Sequence, residues 1–395
     1  MKCVQNQDII QEDSIMDNDY TAGITTPTGK HQPENRTFQG IPGIAVSPHG
    51  RIFTVCYSGG HDENGENYVV LWFSDDRGGT WNPPVAVVDP VQADIRAFDA
   101  VPWFAPDGRL FLFWAQGRTI SKEVVWAHPG VWFSVLENPD DPPETFRWST
   151  AERIADGIMM NKPIVLSDGA WALPVSVWSI ESFVNAGEDI GTKMFVSDDG
   201  GKSFRERGRF LLPPEFRCFD EHSFVELSDG RIRCVARILQ GYADAWSSDG
   251  GRTWTPAVRS DIPGPNSRLF ITKLQSGRLL LVRNEDPEMT EEVIRERNWR
   301  PRKNMTAYLS DDDGASWYGG LLLDGCEQVS YPDGQQVADG TIWIVHDRAR
   351  YRGCKIVVSC ITEEDVAAGR LVSTASRLGI IASVSASVPG GDIGL

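Results

Sequence analysis

The stretch Arg217 to Arg237, RCFDEHSFVELSDGRIRCVAR, gathers ionisable groups at the open end of a hairpin. Asp220, Glu221 and His222 stand at the head of an alternating strand, Ser228-Asp229-Gly230 supplies the turn, and the return strand ends at Arg237. Folded that way, Glu221 and Arg237 emerge side by side at one end of a sheet. A carboxylate and a guanidinium so placed form either a surface ion pair or part of a site, and exposed pairs are mostly incidental. The decision rests on the rest of the chain. Histidine ordinarily titrates near neutrality, which makes His222 a candidate for proton transfer or substrate contact. Adjacent residues of a regular strand point to opposite faces, so only one of Glu221 and His222 can face a common channel.

The elements that would position these groups follow from a repeat. SDDRGGTW at Ser74, SDDGGKSF at Ser197, SSDGGRTW at Ser247 and SDDDGASW at Ser310 all fit Ser-x-Asp-x-Gly-x-(Ser/Thr)-(Trp/Phe). The chemistry is that of a self-bonded turn: the Asp carboxylate accepts from turn amides, Gly supplies a positive φ, and the aromatic starts the next strand. Asp76, Asp199, Asp249 and Asp312 are therefore read as structural. The copies start 123, 50 and 63 residues apart, so one unit between Ser74 and Ser197 lacks the motif, and WFSVLENPDDPPETFRWS takes its place.

A second register agrees. GIPGIAV, DAVPWFA, NKPIVL, EHSFVEL, SRLFITKL and SYPDGQQV each open a unit, and each runs through a turn into a second strand. The expected fold is all-β: one domain over 1–395, a six-bladed β-propeller, with blades at roughly 40–96, 97–157, 158–216, 217–262, 263–325 and 326–365. The chain ends are expected to share a blade and close the ring. After Glu363 the reading leaves open a short helix followed by either a closing strand or a loose tail. First strands line a propeller's channel, so Gly40, Asp99, Asn161 with Lys162, Glu221 with His222, Arg268 and Tyr331 should meet at one mouth, with Arg237 beside Glu221. Asp347, Arg348 and Arg350 are read as a blade-to-blade ion network.

The composition excludes other classes. A formal charge of −17 argues against nucleic acid and anionic membranes as partners. The first twenty residues hold no apolar run long enough for a signal peptide or membrane span, which reads as a cytoplasmic chain. Seven scattered cysteines, without CxxC or paired metal spacing, read as reduced and mostly buried. Neither a metal nor a redox cofactor is expected. Oligomeric state is not legible.

The repeated turns on a six-unit pattern resemble the Asp-box, or BNR-repeat, sialidase (neuraminidase) superfamily over nearly the whole chain. The resemblance implies a glutamate at the head of the fourth inner strand, an arginine ending the next strand, an arginine before the fifth blade's Asp-box strand and a tyrosine heading the sixth blade. Those places hold Glu221, Arg237, Arg302 and Tyr331. It further implies a Tyr331 nucleophile with Glu221 as its base, because an anionic nucleophile would be repelled by the carboxylate that a sialic acid bears on its anomeric carbon. Arg237 and Arg302 would clamp that carboxylate.

A general acid is implied on the loop YSGGHDENGENY, which offers Asp62, Glu63 and Glu66; residue type favours Asp62 and position favours Glu66. The departure is at Gly40-Ile41-Pro42, where the family pattern is Arg-Ile-Pro; Arg36 is the nearest arginine that could reach round. Arg268, Lys162, Asp99 and His222 complete the expected substrate contacts. The function so implied is exo-acting, retaining hydrolysis of a terminal acidic sugar, sialic or a related ulosonic or uronic acid. A polysaccharide lyase acting on uronate oligosaccharides and a non-catalytic carbohydrate-binding propeller are the competing readings.

Overall fold

In each of the four repeated turns the Asp carboxylate binds the turn from inside. Asp249 accepts from Ser247 Oγ at 2.8 Å, from the Thr253 amide at 2.9 Å and from Thr253 Oγ1 at 2.6 Å. Asp76, Asp199 and Asp312 repeat the arrangement. These bonds favour the charged form and hold all four carboxyls at about 2. The fourth turn residue is left-handed whether it is Arg77, Gly200, Gly250 or Asp313. In the unit without the motif, Asn138 replaces the Asp by binding the Asp141 carboxylate, the Thr145 carbonyl and the Arg147 amide.

The structure, a computed structural model, describes residues 22–386 except 91, 93, 120–125, 179–182, 185–189, 286–301 and 351–352. The N-terminal stretch read for targeting, together with Cys3, and the final residues of the Ser/Gly-rich end lie outside the described residues. Six sheets follow one another along the chain, antiparallel except where the short strand Phe183–Val184 joins Trp126–Leu136 in parallel, and this is the expected six-bladed propeller. Inner strands run Gln39–Val46, Ile95–Phe104, Ile164–Val165, His222–Glu226, Phe270–Lys273 and Val329–Gln336. The six described cysteines are free, and all but Cys326 are buried. No helix among the described residues is long and apolar enough to cross a membrane.

Both faces of a blade are covered by neighbouring blades, so strands read as continuous apolar runs rather than as alternation with polar residues. The period of two survives as a choice of neighbour. Ala45 and Phe53 of blade 1 pack with Phe98 and Leu112 of blade 2, while the adjacent Ile44 and Ile52 pack with Val345 and Val358 of blade 6. Comparable apolar clusters fill the other four junctions.

Ring closure differs from expectation. Blade 6 spans Val329 to Val384 from contiguous chain; a short helix, Glu363–Ala368, precedes its outer strand Arg377–Val384. The N-terminal strand Ile24–Thr25 adds instead to the outer edge of blade 1. Among the described residues the two ends do not share a blade; the apolar junction between blades 6 and 1 seals the ring. An Ala386 amide bond to the Arg36 carbonyl, 2.7 Å, ties the ends beside it.

Candidate functional site

Inner strands do not enter the mouth smoothly. Register shifts interrupt the first ladder between Gly40 and Gly43 in blade 1, Phe98 and Val101 in blade 2, and Ser330 and Asp333 in blade 6. Within those bulges Ile41, Asp99 and Tyr331 have φ of 53°, 49° and 53°, and Asp220 at the head of blade 4 has 46°. Such conformations are costly for residues with a Cβ, and bulges re-aim side chains. Here they turn strand heads toward one opening.

Tyr331 is the centre of that opening. The residue is 6% exposed, and its hydroxyl accepts from Arg237 Nη1 at 3.1 Å and donates toward Glu221 Oε1 at 3.5 Å. The hairpin places Glu221 and Arg237 as its sequence requires: the Arg237 amide donates to the Glu221 carbonyl at 2.7 Å, and Nη1 meets Oε1 at 2.8 Å. Glu221 and Arg237 are 4% and 2% exposed, so this is a buried pair, whose rupture by loss of one partner costs about 3–5 kcal/mol. Burial opposes the Arg237 charge, but Glu221 and Tyr331 outweigh it and raise its proton affinity. Arg237 Nε donates to Asn266 Oδ1 at 2.6 Å, and Phe219 covers its plane with ring centre 4.7 Å from Cζ.

Three further guanidiniums surround the phenol. Arg350, Arg302 and Arg268 place Cζ 4.5, 5.0 and 5.3 Å from the ring centre. Arg302 is half-buried and held by the Asn266 carbonyl at 3.2 Å. Arg268 is buried; it donates to the Met160 and Pro332 carbonyls and so bridges blades 3 and 6 beneath the tyrosine. Asp99 is 3% exposed; burial, then the nearby Glu63 charge, pushes its carboxyl up to about 8.

Other expected contacts lie elsewhere. Arg36 is buried between blades 1 and 6, where Nη2 donates to Ser383 Oγ at 2.8 Å and Cζ lies 5.6 Å from the Trp72 ring. It does not reach the mouth, because its neighbours pack it outward along the blade junction. His222 has both ring nitrogens against backbone carbonyls, those of Asp220 at 3.1 Å and Lys193 at 3.0 Å. The strand alternation turns it into the blade; burial outweighs the two acceptors and pulls its pKa down to about 4. Lys162 pairs with Asp333 across the channel, one layer below the mouth, and burial lowers its pKa.

On the loop after the second strand, Asp62 is exposed and accepts from Asn64 Nδ2 at 2.9 Å, and Glu66 is exposed. Glu63 is the member joined to the cluster, 3.1 Å from Arg350 Nη1. Arg348 pairs with Asp324 of blade 5, as an inter-blade network requires, but Arg350 turns into the site instead. Arg350 and Asn266 are therefore candidate site residues that the sequence reading missed, and Glu63 is the loop acid it offered but did not favour. The bare Gly40 was the one signal for Arg350. A cavity of about 240 Å³ lined by Trp103, Lys162, Phe270 and Gln335 opens at the opposite end of the inner strands and holds none of the groups around Tyr331.

The arrangement joins a phenol, a carboxylate able to take its proton, and several cations suited to an anionic ligand. The family profile described as BNR repeat-like domain matches residues 50–344. No curated protein matches the sequence. Among solved structures, a Hadza microbial sialidase aligns at 16% identity and TM-score 0.59, covering 79% of this chain and 63% of that one. A variant of the NanB sialidase of Streptococcus pneumoniae aligns at 12% and 0.60, covering 83% and 68%. Trypanosoma rangeli sialidase in complex with sialic acid aligns at 14% and 0.57, covering 80% and 52%. The chain thus spans about two thirds or less of these relatives, and at such identities the likeness is one of fold.

Proposed function

The chain belongs to the BNR repeat-like family, and on that scaffold we propose that it is an exo-acting, retaining glycoside hydrolase of sialidase type, acting on a terminal acidic sugar of the sialic, related ulosonic or uronic class. The observation that carries this reading is the hydrogen-bonded triangle of Tyr331, Glu221 and Arg237, ringed by Arg302 and Arg350. Tyr331 Oη attacks the anomeric carbon as its proton passes to Glu221, and the bond to the leaving oxygen breaks. Arg237 and Arg302 hold the sugar carboxylate beside the reacting carbon. An acid on the 59–67 loop protonates the leaving oxygen, and Glu63 is its member already turned to the site. The same group then takes a proton from the water that cleaves the tyrosyl intermediate. Asp99, protonated up to about pH 8, can donate a hydrogen bond to a sugar hydroxyl.

Aryl glycosides of sialic, other ulosonic and uronic acids test the reading, with Tyr331→Phe run alongside and absorbance followed for unsaturated products. Release of the aryl group by the parent and its loss by at least about a hundredfold in the variant is the expected result. Unsaturated product from uronate oligosaccharides would reassign the site to a lyase. Binding of an acidic sugar with no turnover of any substrate would reassign it to a carbohydrate-binding propeller.

A further inference from the structure

Arg350 lies two residues beyond the strand Ile342–Arg348, yet its guanidinium is nearest of three to the Tyr331 ring. Two features bring it there. The first is space: a Cβ built on Gly40 would stand 2.6 Å from both Cγ and Cδ of Arg350 and 2.9 Å from its Nε. No side chain at position 40 is compatible with the Arg350 stem where it lies. The second is a cradle. Nε donates to Asp347 Oδ2 at 3.0 Å and Nη2 to Ser330 Oγ at 2.9 Å, while Asp347 also accepts from Ser330 Oγ at 2.7 Å and the Ile41 amide at 3.0 Å. Asp347 is fully buried, and its bonds join the head of blade 1 to the residue preceding Tyr331.

The other terminal nitrogen, Nη1, is turned to the 59–67 loop. Its partner there is Glu63, a loop carboxylate 3.1 Å away with about a quarter of its side chain exposed. A guanidinium fixed through Nε and Nη2 that meets a part-exposed loop carboxylate through Nη1 is suited to bind an anion. We propose that Arg350 binds the carboxylate of the sugar, and that Gly40 and Arg350 form a coupled pair in which the bare head of blade 1 exists to admit an arginine from blade 6. This rests on the acidic-sugar reading of the same site and adds the residue that sets its anion specificity.

The test uses the full chain carrying Tyr331→Phe, so that ligand survives, and calorimetric titration with N-acetylneuraminic acid, a 3-deoxy-octulosonic acid and glucuronic acid. For whichever sugar binds best, Arg350→Ala should weaken binding about 10- to 100-fold, the range for a lost hydrogen bond to a charged group. Arg302→Ala serves as the comparison at the same ring. Gly40→Arg alone should lose binding and stability, and Gly40→Arg with Arg350→Gly should recover both, since one arginine then replaces the other in the same volume. A purely structural Arg350 would lower the melting temperature while leaving the affinity of the remaining folded protein unchanged, and that result would overturn the proposal while leaving the hydrolase reading intact. Failure of every acidic sugar to bind the parent would remove both.

Discussion

Asp99 carries the clearest pH signature at the scale of single residues. Folded, it keeps its proton up to about 8 because it is buried beside Glu63; unfolded, it releases the proton near about 4. Between those values the folded chain holds the extra proton, so this group makes stability fall as pH rises. Asp99→Asn should remove that slope, and chemical denaturation of variant and parent at a series of pH values between about 4 and 8 reads it directly. A parallel pair of curves would show that Asp99 ionises normally in the fold. How much of the site could be read in advance depended on reach. Glu221 and Arg237 were legible because a hairpin register fixes two backbones and both side chains leave from the same rung. Arg36 and Arg350 were not, since a long side chain starting near a mouth can end on either side of a blade. The packing around Trp72 and the vacancy at Gly40 decide where each goes, and neither is local in sequence.

The recurring turns set the expectations for elements. Consecutive glycines in one turn, Gly200 and Gly201, have φ of 74° and 83°, but their surroundings differ. A Cβ on Gly200 meets nothing within 4 Å, and Arg77 and Asp313 occupy the equivalent position elsewhere. A Cβ on Gly201 would stand 2.6 Å from the Trp171 ring and 2.7 Å from that of Phe111. Gly200→Ala should therefore cost about 1 kcal/mol, the strain of a left-handed residue, and Gly201→Ala about 3 kcal/mol or more, because two buried rings must also move. Equilibrium urea unfolding of both variants separates these values, and equal losses would mean the rings yield freely. The same turns made the fold readable from sequence, since each is closed by bonds among its own residues. Ring closure was not readable, because packing between blades 6 and 1 leaves no pattern within a single strand.

At the scale of the whole molecule, the channel beneath the site is bridged by side chains from opposite blades. Lys162 of blade 3 meets Asp333 of blade 6, and Arg268 of blade 5 reaches carbonyls of blades 3 and 6 just above. Lys162→Met leaves Asp333 buried without its cation and should cost about 3–5 kcal/mol, with affinity for an acidic sugar unchanged in the protein that remains folded. A loss of affinity without loss of stability would instead make the lysine part of the mouth. The bulged strand heads bear on a different question, that of inheritance. Each head is bent by a defect inside its own blade, at Ile41, Asp99 or Tyr331, yet Ile41 and Tyr331 also pack into one interblade core. Heads are therefore bent separately but not rewritten separately, since a side chain at Gly40 of blade 1 requires a matching change at Arg350 of blade 6. Such a mouth changes its ligand through paired substitutions across a blade seam, the first a burden to the fold until the second arrives.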